Sequence, residues 1–189
     1  MAQVTEDHGN LDNVNLGVFR SSSTVKGGRR FSFGSMVVAG DRRGRIGLGY
    51  AKSKEVPPAI EKATKDAKKR MERMTLLEST VPHETEGKAG SSTVRLIPAS
   101  PGTGIVAGAT VRAILEMVGI RDCLTKAYGS TNKKNLAKAT FDALRKLKSR
   151  QEIEARRGVV LGSSTTEEKV RTKNSPAAAQ PADAASPDA

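Results

Sequence analysis

The sequence predicts an α+β protein with two compact units, and three observations support this prediction. Residues 14–75 and 76–157 each contain strand-like alternation of apolar residues followed by a helical apolar stripe. Apolar residues make up 37% of the 189 residues, which is enough for a core. The ends differ in composition. We therefore expect a flexible lead-in at residues 1–13 and a disordered tail at residues 158–189, where Ser, Thr, Ala and Pro accumulate.

The first unit is predicted to contain a three-stranded antiparallel sheet. The Gly27–Gly28 pair between strand-like flanks is typical of a two-residue hairpin turn, and residues 41–44 form a second turn. Apolar residues alternate after each turn: Phe31, Phe33, Val37 and Ala39 after the first, and Ile46, Leu48 and Tyr50 after the second. This alternation favours core positions for the aromatic side chains.

A helix is predicted next, from Val56 to about Met74. Its apolar residues recur at helical spacing, and its two prolines fall in the first turn, where proline is tolerated. The second unit then begins with a strand at residues 93–97. A Gly-rich turn at residues 101–104 follows it.

The rest of the second unit is predicted as helix, strand and helix. Residues 105–118 are apolar on most sides, which predicts a buried helix, and Gly119 suits its C-terminal cap. Another strand lies within residues 120–128. Either Asn132 or Thr131 can cap the last helix.

Composition excludes several functional classes. A single cysteine forms no intrachain disulfide, and one cysteine with two distant histidines cannot build a usual tetrahedral zinc site. No apolar run approaches the ~20 residues of a membrane helix. The N-terminal residues are polar and acidic, so we expect no signal peptide and a reduced, cytoplasmic compartment.

Charge indicates the partner. The net charge is +12 and the pI about 10.1, which favours nucleic acid first and an anionic membrane second. Nine basic residues and one acidic residue lie within 20–54, and nine basic and three acidic residues lie within 133–157. Both predicted turns carry charge at their tips, where side chains and glycine amides reach phosphate. The candidate RNA-binding residues are Arg20, Lys26, Gly27, Gly28, Arg29, Arg30, Arg42, Arg43, Arg45, Lys52, Lys54, Lys133 and Lys134.

Aromatic residues make up only 3% of the chain, and the pattern assigns them to the core. The first unit is therefore expected to bind phosphates and helical RNA shape rather than to stack bases. Three antiparallel strands followed by a helix also suit a double-stranded-RNA-binding layout, although no clear helix precedes the first strand.

One stretch imitates a dinucleotide-binding motif. Gly102, Gly104 and Ala107 fit G-x-G-x-x-A between a strand and a helix, and Asp122 lies twenty residues beyond Gly102. However, Asp122 stands near the start of the next apolar segment, and too few residues remain to complete a doubly wound sheet. We favour a tight turn that packs a buried helix on a sheet, and we expect no cofactor and no enzyme activity.

Three other chemical candidates have ordinary interpretations. Cys123 is expected to be a half-buried structural thiol, and His83 has no nucleophile near it in sequence. Arg112 and Glu116 are spaced for a pair on the helix surface. Because that helix is otherwise apolar, Arg112 can instead mark a face that meets a partner.

Four long motifs closely resemble the bacterial ribosomal protein S5 family of the small subunit, in register over residues 14–157. They are VKGGRRFSF (25–33), GRIGLGYAKSKEVPPAIEKA (44–63), PASPGTGIVAGATVRAILEMVGI (98–120) and KAYGSTNKKNLAKAT (126–140). The resemblance implies an N-terminal domain like the double-stranded-RNA-binding fold and a C-terminal α/β domain with a left-handed βαβ crossover.

The resemblance also implies a function and two sites. It implies a structural, non-enzymatic protein that binds 16S rRNA, supports subunit assembly and contacts small-subunit ribosomal proteins four and eight. With proteins three and four it would line the pore through which mRNA enters, and it would influence decoding accuracy. Residues 26–30 would form the RNA-contacting hairpin, near the family's spectinomycin determinants. Gly104 and Arg112 would meet protein four. The alternative is a free RNA-binding or RNA-chaperone factor that only visits ribosomes.

Overall fold

The computed structural model describes residues 11–159, and the predicted lead-in and tail lie almost wholly outside this range. The first unit contains strands β1 (Asp12–Val25), β2 (Gly28–Gly40) and β3 (Arg45–Ser53), helix α1 (Val56–Lys69) and strand β4 (Met71–Arg73). Its antiparallel sheet has the order β1-β2-β3-β4. The first strand therefore begins at Asp12, within the predicted lead-in.

The prediction of three strands and a helix reaching Met74 is wrong at the end of the helix. Arg70 leaves helical geometry at φ −108° and ψ 35°, and its amide closes the last turn on Ala67 and Asp66. Residues 71–73 then pair with β3 as a fourth strand. Met71 and Met74 fit the helical spacing of the sequence, but they lie outside the helix. Met71 belongs to this strand, and Met74 is buried just after it.

The two faces of this sheet have different partners. On one face Gly47 and Gly49 lie so close to α1 that a Cβ atom on Gly49 would overlap the carbonyl oxygen of Ala63. Val37 and Ala39 pair with these glycines and share that face. Ile46, Leu48 and Tyr50 alternate with the glycines and point to the opposite face, toward the second unit.

The second unit contains β5 (Thr85–Ala89), β6 (Ser92–Pro98), β7 (Ile105–Val106), α2 (Ala109–Val118), β8 (Cys123–Gly129), α3 (Lys133–Arg145) and α4 (Arg150–Arg157). Its sheet has the order β5-β6-β8-β7, and β7 is parallel to β8. The two-unit α+β prediction is confirmed. A βαβ crossover runs through α2, and its left hand stays a prediction.

The helix predicted over residues 105–118 begins later, at Ala109. Ile105 and Val106 pair with the edge of β8, and Gly108 caps the helix in an extended conformation. The predicted caps are confirmed. Gly119 adopts φ 103° at the end of α2, and the Asn132 side chain accepts the Lys134 amide at 3.1 Å. Strand β5 and helix α4 were not predicted.

One apolar cluster joins the two units. Met36, Val38 and Ile46 from the first sheet belong to the same buried cluster as Ile114 and Leu144 from α2 and α3. The first sheet is therefore enclosed between α1 and the second unit.

Candidate nucleic-acid interface

The β1–β2 hairpin extends well beyond the sheet that carries it. Strand β3 pairs with β2 only as far as Phe33, opposite Ser53, so residues 21–32 pair only with each other among the described residues. These five residue pairs and the two-residue turn beyond them span about 20 Å. We call residues 20–32 the ribbon. An isolated two-stranded hairpin is marginally stable in water, so such an extension suits a partner that completes it.

The ribbon turn differs from its prediction by one residue. The last pair is Val25 with Gly28, so the turn residues are Lys26 and Gly27 rather than the two glycines. Gly28 takes a φ of +146°, which needs glycine.

The ribbon carries uncompensated positive charge. Residues 20–40 contain no aspartate or glutamate. Lys26, Arg29 and Arg30 are exposed and form no ion pair within residues 11–159. Such a surface can bind a chain of phosphates, and its glycine amides can approach them closely.

The prediction that Phe31 belongs to the core is wrong. Its side chain is 49% exposed, and the Arg20 guanidinium lies 5.0 Å from the ring centroid. Phe33 and Tyr50 are half-buried, and Tyr50 packs against the core. The alternation of side chains along β2 continues into the ribbon and keeps Phe31 on the face of the sheet that α1 covers. Helix α1 does not extend far enough to cover Phe31 itself.

The second turn, residues 41–44, is docked rather than free. The Arg42 amide donates to the Met117 carbonyl at 3.1 Å, and the Gly44 amide donates to Val118 at 2.8 Å. Gly119 lies so close that a Cβ atom there would overlap the Arg42 carbonyl oxygen. The backbone of this turn therefore binds the C-terminal end of α2.

Asp41 holds the second turn in shape. Its Oδ1 accepts the amides of Arg43 at 2.8 Å and Arg45 at 3.0 Å, and its Oδ2 accepts Arg45 Nε at 2.9 Å. Burial alone would raise the pKa of this carboxyl, but these hydrogen bonds together hold the pKa below its usual value. Arg42 pairs with Asp12 at 2.9 Å. Arg42 in the turn and Arg45 at the start of β3 therefore both have carboxylate partners.

The remaining RNA candidates separate into two groups. Lys52 and Lys54 are exposed near the base of the ribbon, because Lys52 lies beside Gly34 on β2. Lys134 instead joins the two units. Its Nζ donates to the Tyr50 hydroxyl at 2.7 Å and lies 4.0 Å from the Tyr50 ring and 4.9 Å from the Phe19 ring.

Lys133 lies at the same junction, with its side chain beside Gly17 of β1. A further ion pair crosses between the units at the other end of α3, since Arg145 Nε binds Glu72 at 2.6 Å. The Arg145 hydrogen bond lowers the pKa of the Glu72 carboxyl.

The Gly-rich turn has its amides occupied. Gly102 and Gly104 each donate to Asp122 Oδ1 at 2.9 Å, so the amides that would hold a dinucleotide phosphate bind a carboxylate of the chain itself. The tight-turn interpretation agrees with this geometry. Cys123 is buried, and burial raises the pKa of its thiol to about 11, which keeps it protonated.

The two predicted protein-contact residues lie together. Arg112 is exposed and donates to the Ile105 carbonyl at 3.2 Å, next to Gly104. Within residues 11–159 it forms no ion pair with Glu116. A Cβ atom on Gly104 would meet nothing within 4 Å. Beside them Val106 is 53% exposed at the edge of the second sheet.

The individual site predictions missed a second basic surface. A cavity of about 410 Å³ is lined by His83, Lys146, Lys148, Ile153, Arg156 and Arg157. His83 shapes one wall, since its Nε2 accepts the Lys148 amide at 3.1 Å. The excess of basic residues within 133–157 was the available signal, but α4 itself was not foreseen. Within residues 11–159 no cluster of His, Cys, Asp and Glu could hold a metal ion, and no helix is long and apolar enough to cross a membrane.

Comparison with known proteins identifies the family. The family model for ribosomal protein S5, N-terminal domain, matches residues 11–75, and that for ribosomal protein S5, C-terminal domain, matches residues 87–157. Small ribosomal subunit protein uS5 of Rhodopirellula baltica is 50% identical over 151 residues, which cover 80% of this chain and 85% of that protein. The chain belongs to the ribosomal protein S5 family. Further uS5 relatives are those of Tolumonas auensis, 45% identical over 84% of this chain and 96% of that protein, and Bifidobacterium longum, 49% identical over 82% and 67%.

Membership of the S5 family decides between the functional classes. The family is structural and non-enzymatic, which confirms the prediction that the chain is not an enzyme. It also makes the chain a constituent of the small ribosomal subunit, for which rRNA binding is typical. The first family match contains the sheet that carries the ribbon.

Proposed function

We propose that this member of the S5 family binds 16S rRNA in the small ribosomal subunit through its ribbon, and thereby supports subunit assembly in the cytoplasm. The observation that carries the proposal is the ribbon itself. It projects about 20 Å from its sheet, and its cations have no carboxylate partner among the described residues. Phosphate neutralisation by these cations supplies the binding free energy.

Lys52, Lys54 and Arg43 extend this surface at its base and beside the second turn. Arg42 and Arg45 contribute less, because Asp12 and Asp41 already compensate their charge. Lys133 and Lys134 act mainly at the junction between the units. The cavity beside α4 supplies a second group of cations for rRNA.

The protein contacts use the second unit. Gly104 and Arg112 form a surface for ribosomal protein four, and a contact with protein eight completes the position of this unit. With proteins three and four the chain lines the pore through which mRNA enters, and it influences decoding accuracy through the contact with protein four. The resemblance supports these roles, as does the exposed position of Arg112 beside Gly104.

Sedimentation tests the proposal. A gentle lysate is run on a sucrose gradient before and after a high-salt wash, and the chain is quantified per small subunit. We expect about one copy, retained through the wash. Recovery at the top of the gradient would instead indicate a free RNA-binding factor.

A charge-reversal pair tests the role of the ribbon. Lys26→Glu with Arg29→Glu should reduce incorporation into subunits at least about tenfold, because two phosphate contacts become repulsive. Lys169→Glu with Lys173→Glu makes the same charge change in the predicted tail and should incorporate normally. Normal incorporation of the ribbon variant would refute the assignment of the ribbon.

A further inference from the structure

Phe31 is unusual among the aromatic residues of this chain. All six lie within residues 11–159, and only Phe31 and Tyr128 are exposed. Tyr128 lies on the sheet of the second unit, whereas Phe31 lies on the ribbon, amid its cations. About half of the Phe31 side chain therefore lies in water, at a cost in solvation free energy.

The strand register places Phe31 on one face of the ribbon. Directly paired residues share a face, and the face alternates with each pair. Ser22 pairs with Phe31 and Thr24 with Arg29, so these four share a face with Arg20. Ser22 lies directly opposite Phe31 on the paired strand, and because its side chain is small it covers little of the ring.

The other face of the ribbon contains no aromatic residue. Its paired residues are Ser21 with Ser32, Ser23 with Arg30 and Val25 with Gly28. Ser21 and Ser32 use their hydroxyls on each other, at 2.8 Å. The first face therefore carries two arginines and an exposed aromatic ring, whereas this face carries one arginine, Arg30, and no ring.

Arg20 and Arg29 flank the ring on its face. The Arg20 guanidinium lies 5.0 Å from the ring centroid, within cation–π range, and restricts the ring. Arg29 is two residues along the same strand, about 7 Å away. This places one aromatic surface between two phosphate-binding groups, with half of the side chain still open to solvent.

We propose that Phe31, held by Arg20, stacks on an unpaired base of the RNA that the ribbon binds. This inference rests on the proposed function, because it requires RNA on the ribbon. RNA supplies both groups that this face fits, phosphates for the arginines and a flat base for the ring. A base within a continuous duplex has its faces covered by its neighbours, so the target is a loop, bulge or end.

Tryptophan fluorescence tests the stacking directly. The chain contains no tryptophan, so Phe31→Trp in the full-length protein introduces one reporter at the proposed contact. Val25→Trp is the matched control, since Val25 is 39% exposed and lies on the opposite face of the same ribbon. The probes are a mixed-sequence single-stranded RNA 20-mer and the duplex formed with its complement, and labelled-RNA anisotropy measures binding independently.

We expect the single strand to quench Phe31→Trp strongly and the duplex to quench it weakly, while Val25→Trp changes little with either. Equal quenching at both positions, or no quenching at position 31 while anisotropy shows binding, would overturn the stacking and leave the proposed function standing. If neither RNA binds the unaltered chain at low salt, RNA binding by the ribbon and the stacking both fail.

A second measurement separates stacking from charge. Phe31→Leu keeps an apolar side chain without an aromatic face, and should weaken single-strand binding about tenfold with an unchanged salt dependence. Phe31→Tyr should restore the affinity. Equal affinities of the leucine variant and the unaltered chain for the single strand would overturn the proposal.

Discussion

The two turns of the first sheet are alike in composition and opposite in environment. Both contain glycine and several basic residues, and both connect antiparallel strands. In the part of the chain that the structure describes, the ribbon turn forms no hydrogen bond to another element, and a Cβ atom on Gly27 would meet nothing within 4 Å. The second turn binds the end of α2 through two backbone hydrogen bonds. Local charge therefore does not distinguish a turn that is open to a partner from one that packs within the protein.

Two features do distinguish the turns. The second turn contains Asp41, which supplies acceptors to two turn amides and to one arginine side chain, whereas the ribbon has no acidic residue. The second turn also follows Gly40, where a Cβ atom would overlap the Met117 carbonyl oxygen. An acidic residue that satisfies its neighbours and a crowded glycine indicate packing. Their absence leaves the charge available to a partner.

The largest expected effect concerns these glycines. Gly40→Ala forces backbone apart at the junction between the units and should lower the free energy of unfolding by about 3 kcal/mol, as overpacking does. Gly27→Ala, at the open turn, should change it by less than about 0.5 kcal/mol. Urea unfolding of both variants makes the comparison. Similar losses would mean that the second turn is not docked.

Neutralising matched pairs of arginines comes next in size. Arg29→Gln with Arg30→Gln should reduce the slope of log affinity against log salt for purified 16S rRNA by about 1.5, since two phosphate contacts are lost. Arg42→Gln with Arg45→Gln should reduce the slope by less than half as much, because carboxylates compensate both charges. Equal slopes for the two variants would contradict the distinction between the turns.

The smallest effect is a pH dependence of the docked turn. Because the folded-state pKa of Asp41 lies below its ordinary value of 3.8, its stabilising effect is present above that pH and is lost as the pH falls through the lower value. Asp41→Asn should therefore cost about 1 kcal/mol near pH 7, and this cost should decrease as the pH falls below 3.8. Arg29→Gln on the ribbon should show no such pH dependence. A cost of Asp41→Asn that is constant from pH 7 to pH 3 would contradict this account.

The sequence predicted the elements whose signals are local. The cap at Asn132, the left-handed Gly119 and the buried face of α2 follow from short-range rules. The end of helix α1 was not predictable from the sequence. Methionines at helical spacing fit a longer helix, but they also fit a short strand that pairs with β3, which is distant in the sequence. Strand β5 was missed because residues 85–89 carry glycine and charge rather than an apolar alternation.

The site was predicted as a charge distribution and not as a geometry. The ribbon cations follow from counting residues, whereas the roles of Lys134 and Arg42 depend on contacts 84 and about 30 residues away along the chain. Phe31 was misassigned because alternation shows which face a side chain points to, but not whether anything covers that face. The length of α1 relative to β2 decides this, and it is a tertiary property.

The shared apolar cluster has a consequence for cooperativity. Ile46 of the first sheet and Ile114 of α2 belong to one buried cluster, although each family domain supplies only part of it. Separating the units would expose the apolar side of both, so partial unfolding of either half is strongly disfavoured. The segment between the two sheets separates the two family domains in the sequence, but we do not expect it to separate two units that unfold independently. We therefore expect the two units to unfold together, and we expect neither half to be a self-sufficient fragment for expression or truncation.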